Sequence, residues 1–115
     1  MTTTILLFLT LISMTHCFSQ TAEDYLNSGL DKSERNDYSG AITDFTNAIA
    51  QQPDFAQAFS ERGMVKYKQQ DFRGAMADFT MVIALDPENE VAFFNRAVSK
   101  EGLQDFLGAI ADYTK

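Results

Sequence analysis

Carboxylates are the side chains with the most chemical potential in this 115-residue chain: sixteen Asp and Glu stand against nine Lys and Arg and one His. Asp86 and Glu88 have the residue types of a weak cation site or an acid–base pair. Both flank Pro87 between two helical runs, however, where carboxylates cap free backbone N–H groups, and capping is the expected role. A nucleophile needs a base beside it. The only His, His16, adjoins the only Cys, Cys17, ahead of the segment that folds. No Gly-rich phosphate loop, Ser–His–Asp set or metal-ligand spacing occurs. The chain reads as a non-enzyme with no cofactor and no metal.

Charge narrows the partners. A net charge of −7 and a pI near 4.4 argue against nucleic acid, whose backbone is met with clustered Lys and Arg. The same balance disfavours anionic lipid. A hydrophobic fraction of 45% with 22% charged residues is that of a folded domain.

Residues 1–19 read as an export signal. The apolar run from Ile5 to Met14 has the length of a signal core and is short of the ~20 residues of a membrane span. Cys17 and Ser19 place small residues before a cut ahead of Gln20, although no Lys or Arg precedes the run. An uncleaved anchor and a buried first helix are the alternatives. Lipidation of Cys17 is disfavoured by the bulky His16. Cleavage after Ser19 leaves no thiol, disulfide or His ligand. The expected location is exported: periplasmic, cell-surface or secreted, with no membrane contact after cleavage.

The elements that must position any site come from an internal period of 34. That offset superposes Lys32, Lys66 and Lys100; Asp37, Asp71 and Asp105; and Gly40-Ala41, Gly74-Ala75 and Gly108-Ala109. Asp44-Phe45-Thr46 falls on Asp78-Phe79-Thr80 and Asp112-Tyr113-Thr114. The copies run 22–55, 56–89 and 90–115, the last incomplete. Each reads as two helices, near 22–35, 38–51, 55–69, 72–85, 89–103 and 106–115. In the second copy Phe59, Gly63 and Tyr67 recur every four residues, and Ala75, Phe79, Val82 and Ile83 make one apolar stripe. Asp71 is an N-cap, Asp54 a cap for the next helix, and Asp86-Pro87 a stop. Gly29, Gly63 and Ala97 face Ala41, Ala75 and Ala109, small residues that allow two helices to approach closely. Phe59 and Phe79 should be buried, Lys66 and Arg73 exposed, and Tyr113 less covered than Phe45 and Phe79.

Phe59, Gly63, Ala75, Phe79 and Pro87 at these offsets resemble the tetratricopeptide repeat, and the match covers 22–115. Ser28 stands where a large apolar residue is usual, and Val82 replaces the usual alanine. The resemblance implies an all-α, right-handed solenoid of antiparallel helix pairs, its third pair truncated. It also implies a concave face, built by the first helix of each pair, that receives a protein or peptide. By alignment that face holds seven sizeable apolar residues: Leu26, Leu30, Met64, Tyr67, Val91, Phe94 and Val98. Apolar stripes of this kind mark interaction sites; the alternative is that some of the seven pack against the neighbouring first helix as core. One subset of the family clamps a C-terminal carboxylate of chaperones. Its basic and amide positions fall on Leu26, Leu30, Glu61, Val91 and Asn95, so that use is not expected here.

Two readings of Arg62 and Arg96 stand side by side. Each can pair with the aspartate of the preceding copy, Asp44 or Asp78, or can run along the groove wall into water. Nothing after Lys115 supplies the polar cap that normally shields the last unit of such an array, so either the sequence is a fragment of a longer protein, the favoured reading, or the open end meets a partner. The functional expectation is an exported protein-binding scaffold. The alternative is the N-terminal docking or sensing module of a larger exported enzyme or signalling protein.

Overall fold

The computed structural model describes residues 19–115; the export-signal reading, with His16 and Cys17, falls outside the described residues except for Ser19. Six helices follow in order: α1 Ala22–Glu34, α2 Tyr38–Gln51, α3 Ala56–Lys68, α4 Phe72–Leu85, α5 Glu90–Gly102 and α6 Phe106–Tyr113. The described residues contain no strand. Each helix packs on the next, and the odd-numbered helices also touch across the repeats. The architecture is an all-α helical-repeat solenoid.

The helix ends repeat as faithfully as the helices. Asn36, Gln70 and Gln104 each take a left-handed backbone, with φ of 61°, 63° and 62°. The following aspartate then donates its N–H to a carbonyl five residues back: Asp37 to Lys32 at 2.8 Å, Asp71 to Lys66 and Asp105 to Lys100 at 2.9 Å. This closes the odd helix with a bond that satisfies an otherwise free carbonyl. The same aspartate caps the next helix, its Oδ1 accepting from the N–H of Gly40, Gly74 or Gly108 at 3.0 Å. Thr21 and Asp24 form a reciprocal capping box ahead of α1, and the bonds from Thr21 hold the Asp24 carboxyl below its ordinary pKa. Asp54 does not cap: Phe55 stands at that place in α3 and makes no side-chain cap bond. The two residues between Pro53 and the helix already carry the turn, with Phe55 and Ala56 N–H bonded to Gln52 and Asp54 carbonyls.

Two apolar clusters hold the pairs together. The first joins Leu26, Ala41, Phe45, Ala48, Ala58 and Val65, the second Phe59, Val82 and Ala92, and Ile49 packs against both. The small residues allow a close approach, but Gly29 and Gly63 meet the Phe45 and Phe79 rings and not, as expected, Ala41 and Ala75. A Cβ on Gly29 would stand 2.5 Å from the Phe45 ring, and one on Gly63 2.9 Å from that of Phe79. Only a hydrogen fits there, so both rings press close against helix backbone, with Phe45 0% and Phe79 1% exposed. In the third copy Ala97 stands in the place of the glycine, and Tyr113, at the position of Phe45 and Phe79, is 42% exposed, less covered than either, as expected.

Candidate functional site

Three aspartates at the 34-residue offset, Asp44, Asp78 and Asp112, are buried and are the most strongly bonded carboxylates of the chain. Asp78 accepts from Arg62 Nε at 2.9 Å and Nη2 at 2.7 Å, and Lys66 Nζ lies 3.1 Å away. Asp112 repeats this with Arg96 at 2.8 and 2.7 Å and Lys100 at 2.8 Å. In the first copy Ser28 donates to Asp44 at 2.6 Å, with Lys32 at 2.9 Å. The expected pairing of Arg62 with Asp44 and of Arg96 with Asp78 is therefore wrong. The partner lies 16 residues later in the same copy, because the odd helix and its hairpin mate fold back at a constant offset. What crosses the repeat boundary is a weaker bond, from Arg62 Nη1 to Thr46 Oγ1 at 3.1 Å and from Arg96 Nη1 to Thr80 Oγ1 at 3.2 Å. Lys66, expected in water, is drawn onto Asp78. A lysine and an aspartate recurring every 34 residues carried this signal in the sequence.

Burial would raise the Asp112 carboxyl, but hydrogen bonds from Arg96 and Lys100, with their charges, outweigh it and hold the group below the usual range. A carboxylate so satisfied is poor at taking up protons or metal. Among the described residues no group of His, Cys, Asp and Glu is placed to hold a metal ion. These triads lock each hairpin.

The side chains left for contact lie on the odd helices. Met64 and Tyr67 from α3 and Phe94 and Val98 from α5 come together around a cleft of about 90 Å³, with Asn95 beside them and Phe79 as floor. Phe94 and Met64 are exposed, Tyr67 and Val98 half-buried. The Tyr67 ring is braced edge-on by Phe72 at 5.3 Å, and that of Phe94 by Tyr113 at 5.6 Å. Val91 joins Phe94, Phe93 and Tyr113 in a wider depression of about 500 Å³ at the α6 end. Leu30 is half-buried against the first core cluster. Leu26 must be corrected: it is 1% exposed, inside the cluster that it shares with Ala58 and Val65 of α3. Its counterpart Phe94 is open because among the described residues no helix follows α5 on that side. Phe79 and Tyr113 were not foreseen as parts of the face; both belong to even helices, and their reach into it depends on packing.

Two further groups on this face are perturbed. Glu61 of α3 is raised above its ordinary pKa by burial, which the charge of Lys68 only partly offsets. Tyr113 is raised by loss of water contact and by the Glu101 carboxylate that faces it.

A family model described as TPR repeat matches residues 29–70. No curated protein sequence matches the chain. Among solved structures, the second TPR of Spaghetti (RPAP3), bound to the HSP90 peptide SRMEEVD, is 27% identical, with a TM-score of 0.78 over 83% of this chain and 88% of that one. MamA is 21% identical with a TM-score of 0.80, over 82% of this chain and 55% of that one. The TPR2B domain of yeast Sti1 in a pHsp70 complex is 24% identical with a TM-score of 0.76, over 82% and 75%. The last two share the fold with this chain.

Proposed function

We propose that this chain, in which a TPR-repeat model matches residues 29–70, works as an exported, non-catalytic scaffold that grips an extended or helical segment of another protein along the face of α3 and α5. The cleft of Met64, Tyr67, Phe94 and Val98 over Phe79 carries the reading. Four apolar side chains from two helices converge there, and apolar surface held open to water by a rigid scaffold is the usual mark of a docking site. The similar structures that hold chaperone peptides support peptide binding in general. Their acidic tail is not the ligand proposed here. At the positions that would hold its carboxylates this chain has Leu26, Leu30, Glu61, Val91 and Asn95, one of them in the core and one itself acidic.

Export rests on the apolar run and small residues of segment 1–19. The second reading, a docking module of a larger exported enzyme or signalling protein, is favoured by the apolar face of α6, where Leu107 is 84% exposed. A photo-crosslinking residue placed at Phe94 in the cells that make the protein tests the main reading. It should capture a discrete partner band that the same group at the exposed Arg73 does not capture. Equal capture from both positions, or none from Phe94, would remove the α3–α5 face as the site.

A further inference from the structure

The distribution of charge around the cleft says more about its occupant. Six of the nine basic residues are held by carboxylates: Lys32, Lys66, Lys100, Arg62 and Arg96 on the buried aspartates, and Arg35 on Asp31. Only Lys68, Arg73 and Lys115 remain without an acidic partner among the described residues, and the Lys68 ammonium lies over the Tyr38 ring at 5.8 Å. The acids are bound far less completely, so the field that an approaching partner meets is negative.

That field is focused at the cleft. Glu61 stands one turn before Met64 on the same side of α3, Glu90 one turn before Phe94, and Glu101 one turn after Val98. Glu61 is half-buried, yet among the described residues no donor bonds its carboxylate and no cation comes within salt-bridge distance. It is not among the residues lining the cleft; by the 34-residue offset it is the counterpart of Asn95, which lines the cleft from α5, so Glu61 borders the face on the α1 side of Met64. A carboxylate kept partly out of water beside apolar side chains gains from an incoming ammonium or guanidinium, which restores what desolvation removed.

Resting on the docking-scaffold reading, we propose that the partner segment is basic and apolar together: an aliphatic or aromatic side chain seated between Met64, Phe94 and Val98, with a Lys or Arg about one turn away reaching Glu61. The Lys or Arg supplies selectivity against acidic segments, and the apolar anchor supplies most of the affinity. Cations within a Debye length, about 8 Å at physiological salt, would also speed the encounter.

The test is selection of a displayed library of random 12-residue peptides on the full chain, on its Glu61→Gln form and on a Phe94→Ser, Val98→Ser form. The expected outcome is enrichment of peptides pairing an apolar residue with Lys or Arg within four positions. Synthetic versions of those peptides should bind Glu61→Gln about fivefold more weakly, the scale of a partly exposed ion pair. The control Glu88→Gln, between the helices, should leave their affinity unchanged. Apolar peptides without excess Lys or Arg, or equal affinity for the Glu61→Gln form, would overturn the basic partner and leave the docking face standing. Enrichment no greater on the full chain than on the Phe94→Ser, Val98→Ser form would overturn both. Circular dichroism of each variant confirms that it is folded.

Discussion

Gly29→Ala adds one methyl group at the tightest helix crossing, and its effect follows from three terms of opposite sign. The new Cβ would meet Phe45 Cε1 at 2.5 Å, Cδ1 at 2.7 Å and Cζ at 3.0 Å. Carbon atoms rest at about 3.5–4.0 Å, so the ring must retreat by roughly 1 Å. Phe45 is fully buried against Ala41, Ala48 and Ala58 and has no free side to move into. Overpacking of this kind costs about 1–3 kcal/mol. Expelling the ring instead forfeits up to ~3 kcal/mol of its burial. Alanine in place of glycine returns about 1 kcal/mol of helix propensity. With a contact as short as 2.5 Å the overpacking cost lies in the upper part of its range, about 2–3 kcal/mol, so the expected net loss is about 1–2 kcal/mol, a fall in melting temperature of roughly 5–15 °C for a domain of this size. At Gly63 the contacts are 2.9 and 3.0 Å, so Gly63→Ala should cost less, about 0–1 kcal/mol by the same terms. Thermal and urea unfolding followed by circular dichroism measures both. A Gly29→Ala form as stable as the parent, or more stable, would show that propensity outweighs the clash.

The remaining predictions concern other parts of the fold. Gln70→Gly should raise stability by roughly 1 kcal/mol, since Gln70 has φ of 63° and glycine adopts that backbone at no steric cost; unchanged or reduced stability in urea unfolding would count against it. Asp78→Ala should cost about 2–4 kcal/mol by leaving Arg62 and Lys66 partly buried without their carboxylate, and Asp78→Ala with Arg62→Met and Lys66→Met should recover much of it. A triple variant no more stable than the single one would speak against the buried-charge explanation. Asp112 has its carboxyl lowered in the folded state, so its contribution is complete above the ordinary value of 3.8 and is lost as pH falls through the lower folded value. Acid titration monitored by NMR should therefore loosen α6 below pH 3.8, and Asp112→Asn should flatten that response. Glu61 has the opposite sign: its raised carboxyl favours the fold at low pH, and that favour fades as pH rises. Amides of 106–113 should exchange faster than those of 72–85, because among the described residues α6 packs on α5 alone and carries exposed Phe106, Leu107 and Ile110.

Local chemistry made much of the fold legible. The 34-residue period, the helix starts at Asp37, Asp71 and Asp105, and the stop at Asp86-Pro87 depend on hydrogen bonds and sterics within a few residues, which a sequence displays directly. That small residues at Gly29 and Gly63 allow close helix approach was readable too, but the rings that fill the space, Phe45 and Phe79, were not, because spacing does not say which side chain of the facing helix lands there. The face for contact was legible as a set of positions on α1, α3 and α5, through a family resemblance rather than through spacing alone.

What the sequence by itself determined, then, is which residues cap, which lie on one helical stripe and that the pairs recur. Only the tertiary structure decided which aspartate each arginine finds, since Asp44 and Asp78 are chemically alike and the fold-back of one hairpin selects between them. It likewise decided that one alignment position is core at Leu26 and open at Phe94, because burial depends on whether a neighbouring helix lies over a side chain. Tyr113 illustrates both limits: its greater exposure could be expected from the repeat, but its place against Phe94 depends on how α6 docks on α5. Spacing along a chain constrains direction on one helix, and contact between helices is settled by the space that their packed side chains leave.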